Sequence, residues 1–464
     1  MAISAHPPVE VTELRADVLV IGAGLAGLTA ASILTRSGIE VLVVEARERV
    51  GGRTWTQPAN NGLLLDLGGQ WIGPSQHRIA ALAESLGLTT FPTYDTGLNI
   101  EYRAGTRNTY SGAIPTFDPI TALDTVEAML ELNLMANEVP LDAPWEAEKA
   151  LTWDSQTFGS WIEQNIQNPN VRTLLELATQ AVFSTEPRDL SLLHVLFYTH
   201  SGGSLNELIS VTRGAQESRF HAGAQSISNR LAETLGERVI LNSPVRAIHY
   251  SSNGVQAALA GKTLRARKAI IAISPTLAGR IDYQPALPGL RDQLTQRMPM
   301  GTVIKIQCIY QTPFWRKEGY SGQATSDTGA VRITFDNSPE DGSSGVLLAF
   351  IEGDQGRIWG AASTEDRRAA ALDNLTLYFG EQARQPIEYM EVDWAGQEFS
   401  RGGYAGYMSP GAWTSYGKAL REPIGPLHWA GTETATVWNG YMDGAVQSGE
   451  RAAAEVLAAL QGGS

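Results

Sequence analysis

Twenty-eight residues near the start, Val18 to Glu45 (VLVIGAGLAGLTAASILTRSGIEVLVVE), constrain the fold more than any other stretch. Val18-Leu19-Val20-Ile21 is an apolar run of strand length, and three glycines follow it before a helical pattern and a second apolar strand. Gly22 suits a tight turn, Gly24 a close approach of backbone to ligand, and Gly27 the packing of helix on strand. A helix starting there aims free N–H groups, around Gly24 and Ala26, and the positive end of its dipole at phosphate oxygens. Glu45 closes the second strand about 20 residues on, where an acid accepts from ribose hydroxyls. The order of strand, turn, helix, strand and acid therefore reads as a dinucleotide site in a parallel α/β sheet.

Val18–Thr35 carries no charge for 18 residues, long enough to raise a membrane span. Its glycines and β-branched start, bracketed by Asp17 and Arg36, fit two short elements better. At 464 residues the chain exceeds one ordinary core and implies at least two domains. A net charge of −14 argues against a nucleic-acid surface and favours encounter with cations. Cys308 is the sole cysteine, so no internal disulfide or thiolate metal cluster is possible, and the seven histidines form no close pair. No metal site is expected. Met1–Glu13 lacks the pattern of a signal peptide and reads as a loose tail, while Gly440–Gly462 reads as an amphipathic helix. No membrane association is expected. A cytoplasmic protein, with a homodimer as its assembly, completes that expectation.

Behind the acid, Ala46-Arg47-Glu48-Arg49-Val50-Gly51-Gly52-Arg53 sets three arginines around two glycines, and arginine forks suit phosphate oxygens. In Leu63-Leu64-Leu65-Asp66-Leu67-Gly68-Gly69-Gln70-Trp71-Ile72-Gly73 a strand breaks into glycines and an aromatic, as where backbone passes a flat ligand. Near the other end stands His428-Trp429-Ala430-Gly431-Thr432-Glu433-Thr434-Ala435-Thr436-Val437-Trp438-Asn439-Gly440-Tyr441-Met442-Asp443-Gly444. These segments resemble the FAD-binding signatures of the flavin amine oxidase family, and of monoamine oxidases in particular, and the likeness runs from about Ala16 to the C-terminal helix.

Between these ends, Ile79–Leu88 and Pro119–Leu174 read mostly as helices, with Asn168-Pro169-Asn170 as a turn, roofing a pocket. A helix at Ala224–Leu235 leads to strands at Val239–Leu241, Val245–Tyr250, Val255–Leu259 and Ala269–Ile273. Strands at Val303–Tyr310, Ala330–Asp336, Val346–Glu352 and Glu388–Trp394 indicate a second sheet. The expected fold is a Rossmann-like FAD-binding domain (1–89, 220–294 and 397–464) interleaved with an α+β substrate domain (90–219 and 295–396). The active site would lie between them.

The motifs and the resemblance together assign FAD to Gly22, Gly24, Ala26, Gly27, Glu45, Ala46, Arg47, Gly52, Arg53, Gly69, Gln70, Trp71, Val245, Trp394, Gly431, Thr432, Gly440, Tyr441 and Met442. Tyr404 and Tyr441 match the tyrosines that form two facing walls in monoamine oxidases; aromatic faces attract an amine. Lys305 interrupts an apolar strand, so it should hold a water or have a depressed pKa. The resemblance implies a water held against the flavin and a part in the reaction with oxygen. By the same likeness Trp71, Ala181, Val182, Ile209, Gln216 and Ile333 line the substrate cavity, which suits a hydrophobic arylalkyl or alkyl amine. Gly403 stands where mammalian monoamine oxidases tether FAD through cysteine, so FAD should bind non-covalently.

The resulting expectation is oxidative deamination of primary monoamines through an imine to an aldehyde, with oxygen reduced to hydrogen peroxide. A diamine or polyamine oxidase comes second, with Glu207 and Asp336 as acids near enough in sequence to hold a distal ammonium. An L-amino-acid oxidase, which would place an arginine near Gln70-Trp71-Ile72, and a flavin dehydrogenase rank lower. Rab-escort-like proteins share the architecture without redox chemistry, but the second flavin motif, Lys305 and both tyrosines argue against them.

Overall fold

The apolar run that opens the chain builds the centre of a parallel sheet. In the computed structural model, which describes residues 12–115, 118–259 and 261–462, Thr12–Ile21 is a strand, Leu25–Arg36 a helix and Val41–Val44 a second strand parallel to the first. Val18, Leu19, Val20 and Ile21 are all buried, as a strand covered on both faces must be. Thr12 and Glu13, expected in the loose tail, belong to this strand, where Glu13 pairs with Arg265 across the sheet. The rest of that tail lies outside the described residues.

On the far side of Thr12–Ile21 runs Lys262–Ile271, again parallel, with Leu427–Trp429 parallel beyond it and Val239–Ile240 beside Val41–Val44. One sheet is thus assembled from three separated stretches of chain. The C-terminal helix, Met442–Gln461, packs on Leu25–Arg36. A β-carbon at Gly449 would stand 2.3 Å from the carbonyl oxygen of Ala26, so glycine there permits the close approach. Val18, Val20, Leu28, Leu34, Val446 and Val456 fill the core between helices and sheet.

A second sheet runs in the order Glu388–Asp393, Val303–Tyr310, Gly345–Glu352, Ile333–Asp336, Tyr320–Ser326, Leu98–Arg103, Thr106–Tyr110. Every neighbouring pair is antiparallel except Tyr320–Ser326 with Leu98–Arg103. The helices Pro119–Asn137, Phe158–Asn165, Pro169–Phe183 and Leu192–Ser201 share an aromatic-rich core including Trp153, Trp161, Phe197 and Trp413. Asn168-Pro169-Asn170, read as a turn, starts a helix: the Asn168 side chain accepts from the Asn170 N–H, and Pro169 occupies the first turn.

Some boundaries shift. The strand expected at Val245 begins at Ala247, and that expected at Ala269 begins at Lys262, because its polar first half pairs antiparallel with Gly254–Leu259. Leu98–Arg103, Thr106–Tyr110, Tyr320–Ser326 and the helix Thr364–Phe379 were not anticipated. Among the described residues no helix is long and apolar enough to cross a membrane.

Candidate active site

Both sheets and the helical layer converge on one cavity of about 640 Å³. At its nucleotide end the three glycines divide the labour. Gly22 has φ +105°, and a β-carbon there would stand 2.7 Å from the Ala272 carbonyl oxygen. At Gly27 it would fall 2.0 Å from the Gly22 carbonyl oxygen, so this glycine seats the helix on the turn. Gly27 therefore does not line the cavity, unlike the other residues assigned to FAD. At Gly24 the added carbon would meet nothing within 4 Å, because it would project into the cavity. Helix Leu25–Arg36 has no side-chain cap and no acid in its first turn, which leaves its N–H groups and dipole open to an anion. Glu45 is fixed by Ala23 N–H donating to Oε2 at 2.8 Å and Arg47 N–H donating to Oε1 at 2.9 Å. Ala46, Gly52 and Val245 line the space beside it.

The C-terminal motif closes the same cavity. Thr432 Oγ1 donates to the Tyr441 carbonyl at 2.7 Å, and Met442–Gln461 starts at Tyr441 without a side-chain cap. Two uncapped helix N-termini, from opposite ends of the chain, thus open on one elongated space, with Gly69, Gly431 and Gly440 along its wall. This donor set fits FAD. Arg53 lines the cavity and also ties the two ends of the chain together. It binds Glu433 at two points and donates to the Tyr404 carbonyl at 2.9 Å. Arg49 likewise bonds the carbonyls of Val50, Gly52 and Thr54. Arg47 lines the cavity, with Nη2 on Ser400 Oγ at 2.8 Å.

The reactive end is one face of the second sheet. Val303 lies opposite Glu352, Lys305 opposite Phe350, and Ile333 opposite Phe350 on the other side. Side chains alternate along a strand, so Val303, Lys305, Ile333, Phe350 and Glu352 share the face that meets the cavity. Lys305 Nζ donates to Gly68 O at 2.7 Å and to Gln70 Oε1 at 2.5 Å. Burial lowers its pKa to about 7 against the opposing pull of Asp66, as expected for a lysine on an apolar strand. Trp394 anchors its indole N–H on Leu67 O at 2.9 Å, and Trp71 meets Phe335 edge-on at 5.0 Å. Cys308 falls on the opposite face, buried among Ile304, Ile306 and Trp315, where burial pushes its thiol up to about 12.

Tyr404 and Tyr441 both line the cavity, and burial raises both phenols well above their ordinary range. Each stays neutral at working pH. Two of their partners were missed from sequence. Tyr198, in helix Leu192–Ser201, packs against Tyr441 with ring centroids 5.9 Å apart. Glu352 accepts from the Tyr404 hydroxyl at 2.5 Å. The signal for Glu352 was an acid ending a wholly apolar strand.

Ala181, Val182, Ile209, Gln216 and Ile333 all line the cavity. Glu207 and Asp336, the acids considered for a distal ammonium, do not. Glu207 accepts from Ser75, and Asp336 is buried against Arg316 and Trp315.

Comparison with known proteins agrees with this geometry. The family model for flavin-containing amine oxidoreductases matches residues 25–457. Protein AofH of Mycobacterium tuberculosis is 42% identical over 444 residues, covering 96% of this chain and 97% of that one. The bovine flavin-containing amine oxidase A is 38% identical, over 96% of this chain and 85% of its own. Among solved structures, a putrescine oxidase variant superposes with a TM-score of 0.93 at 33% identity, covering 96% of this chain and 100% of that one. Cyclohexylamine oxidase from Brevibacterium oxydans gives 0.92 at 35%, covering 96% and 99%. The chain belongs to the flavin-containing amine oxidoreductase family, and its cofactor is FAD.

Proposed function

We propose that this enzyme oxidises primary monoamines, with apolar arylalkyl or alkyl side chains, to imines that hydrolyse to aldehydes, and that oxygen then takes the electrons to give hydrogen peroxide. FAD, when bound, accepts the hydride equivalent from the amine's α-carbon. The chain's own work is to bind, orient and desolvate. Tyr404 and Tyr441 offer neutral aromatic faces to the amine, each contact worth about 0.5–2 kcal/mol. Lys305 holds a polar position on the cavity floor. Trp71, Ala181, Val182, Ile209, Gln216 and Ile333 shape the space for the substrate's side chain. Segments 1–89, 220–294 and 397–464 would hold the cofactor, and 90–219 and 295–396 the substrate. The enzyme would act in the cytoplasm as a homodimer.

The observation that carries the monoamine reading is the charge inventory of the cavity. From the segments assigned to substrate, the charged lining side chains are Lys305, Arg332 and Glu352. Glu352 is engaged with Tyr404, beside the reacting amine, and Arg332 repels a second ammonium. A diamine reading draws support from the likeness to putrescine oxidase. A peroxide-coupled screen over benzylamine, phenethylamine, tyramine, putrescine, a secondary amine and an amino acid tests the choice. Primary monoamines should give the highest kcat/KM; preference for putrescine would reverse the assignment.

A further inference from the structure

Glu352 is 6% exposed, yet it lines the cavity beside a tyrosine that faces the substrate. Its Oε1 takes the Tyr404 hydroxyl at 2.5 Å, the length of a charge-assisted O–H···O bond. Ser184 Oγ lies 3.5 Å from the same oxygen. Behind it Glu186 is buried, its carboxylate held by Gln180 Nε2 and the Asp354 N–H. Lys305 shares the sheet face but is turned toward Gly68, Gln70 and Asp66. Among the described residues no cation balances Glu352. A buried carboxyl without a cation is costly when ionised, and it is retained here in contact with the hydroxyl of a tyrosine that lines the cavity.

Alkylammonium ions must shed a proton before oxidation, because only the nitrogen lone pair can stabilise the positive charge that develops as hydride leaves. We propose that Glu352 receives that proton through the hydroxyl of Tyr404. An N–H bond of the ammonium breaks and its proton passes to the phenol oxygen, while the phenol's own proton passes to the carboxylate. The products are neutral amine, restored phenol and neutral acid; no electrons move. Burial, with the nearby Glu186 adding and Tyr404 and Ser184 opposing, raises Glu352 to about 8, so it can hold a proton in the bound complex. The proposal deepens the amine-oxidase reading and rests on it.

The test uses FAD-loaded parent enzyme, Glu352→Gln and Tyr404→Phe, with α,α-dimethylbenzylamine, which has no α-hydrogen and cannot be oxidised. Calorimetry in two buffers of different ionisation enthalpy counts protons released on binding at pH about 9, below the amine's own value of about 10. Bound amine excludes the remaining water and lifts the Glu352 carboxyl further, above the buffer pH, so the parent should release close to none. Glu352→Gln should release close to one per amine bound, whereas Tyr404→Phe keeps the carboxyl and should follow the parent. In turnover with benzylamine, kcat/KM of the parent should rise to about pH 8, level off, and fall above the amine's own pKa. In both variants the fall should vanish and the rise should move up to the amine's own value. A Glu352→Gln protein that does not fold leaves Tyr404→Phe to give the pH profile. Equal proton release by the parent and Glu352→Gln, or pH profiles of the variants superimposable on the parent's, would overturn the relay while leaving the amine-oxidase reading intact. A parent enzyme that binds no amine overturns both.

Discussion

Arg53 and Glu433 stand 380 residues apart and meet at two points, Nη1 to Oε1 at 2.6 Å and Nη2 to Oε2 at 3.0 Å. Burial alone would raise the Glu433 pKa; the guanidinium, with the Gly406 N–H, holds it below the ordinary value. The contact clasps the first flavin motif to the second. Glu433→Gln leaves a buried arginine poorly paired, a loss of about 3–5 kcal/mol for fully buried pairs, and toward the lower end here because the Arg53 side chain is 27% exposed. A melting temperature lowered by several degrees and reduced flavin content after gel filtration are expected. Unchanged values for both would show that the clasp contributes little.

Lys305 titrates near 7 because burial outweighs the pull of Asp66, with Arg219 adding to the depression. Its cation is therefore present below that pH and lost above it. If it assists electron transfer to oxygen, reoxidation of reduced enzyme in air slows as pH rises through about 7. Lys305→Met should remove that inflection and slow reoxidation more than anaerobic reduction by amine. Stopped-flow absorbance separates the two half-reactions.

Arg332 lines the cavity beside Ile333 and donates to Gln180 Oε1 at 3.3 Å. Repulsion of a distal ammonium at about 10 Å, in an effective dielectric near 20, amounts to roughly 1–2 kcal/mol. Arg332→Gln should raise kcat/KM for putrescine relative to benzylamine by roughly five- to thirtyfold. A ratio that does not move would remove Arg332 from substrate selection.

Gly403 precedes Tyr404, and Cys308 lies on the far face of its strand, away from the cavity. Acid precipitation should release FAD into the supernatant. Yellow colour retained in the pellet would contradict non-covalent binding.

The parts legible in the sequence were those written in local pattern. The glycine turn, the apolar strands Val18–Ile21 and Val303–Tyr310 and the C-terminal helix each carry their periodicity or punctuation on the page. Thr106–Tyr110 was not legible because it is a polar, exposed edge strand, and Leu98–Arg103, one strand further in, because it buries Asn99, Ile100 and Glu101 in succession and so shows no alternation. Nor were the partnerships. Glu352 reaches Tyr404 through the register that sets it opposite Val303, and Arg53 meets Glu433 only after the ends of the chain close on each other. No short-range pattern encodes either. Glu207 and Asp336 looked available because sequence proximity to cavity residues does not disclose that Ser75 and Arg316 engage them.

In the proposed enzyme two motifs from opposite ends of the chain close on one FAD and present Tyr404 and Tyr441 to an amine. Anaerobic titration of the purified yellow enzyme with benzylamine, followed by flavin absorbance, tests it most directly. The parent should bleach completely, and bleaching should be slowed by about twofold to thirtyfold in Tyr441→Ala at unchanged flavin content, the loss of one aromatic face. A colourless protein, or a flavin that no amine bleaches, would contradict it.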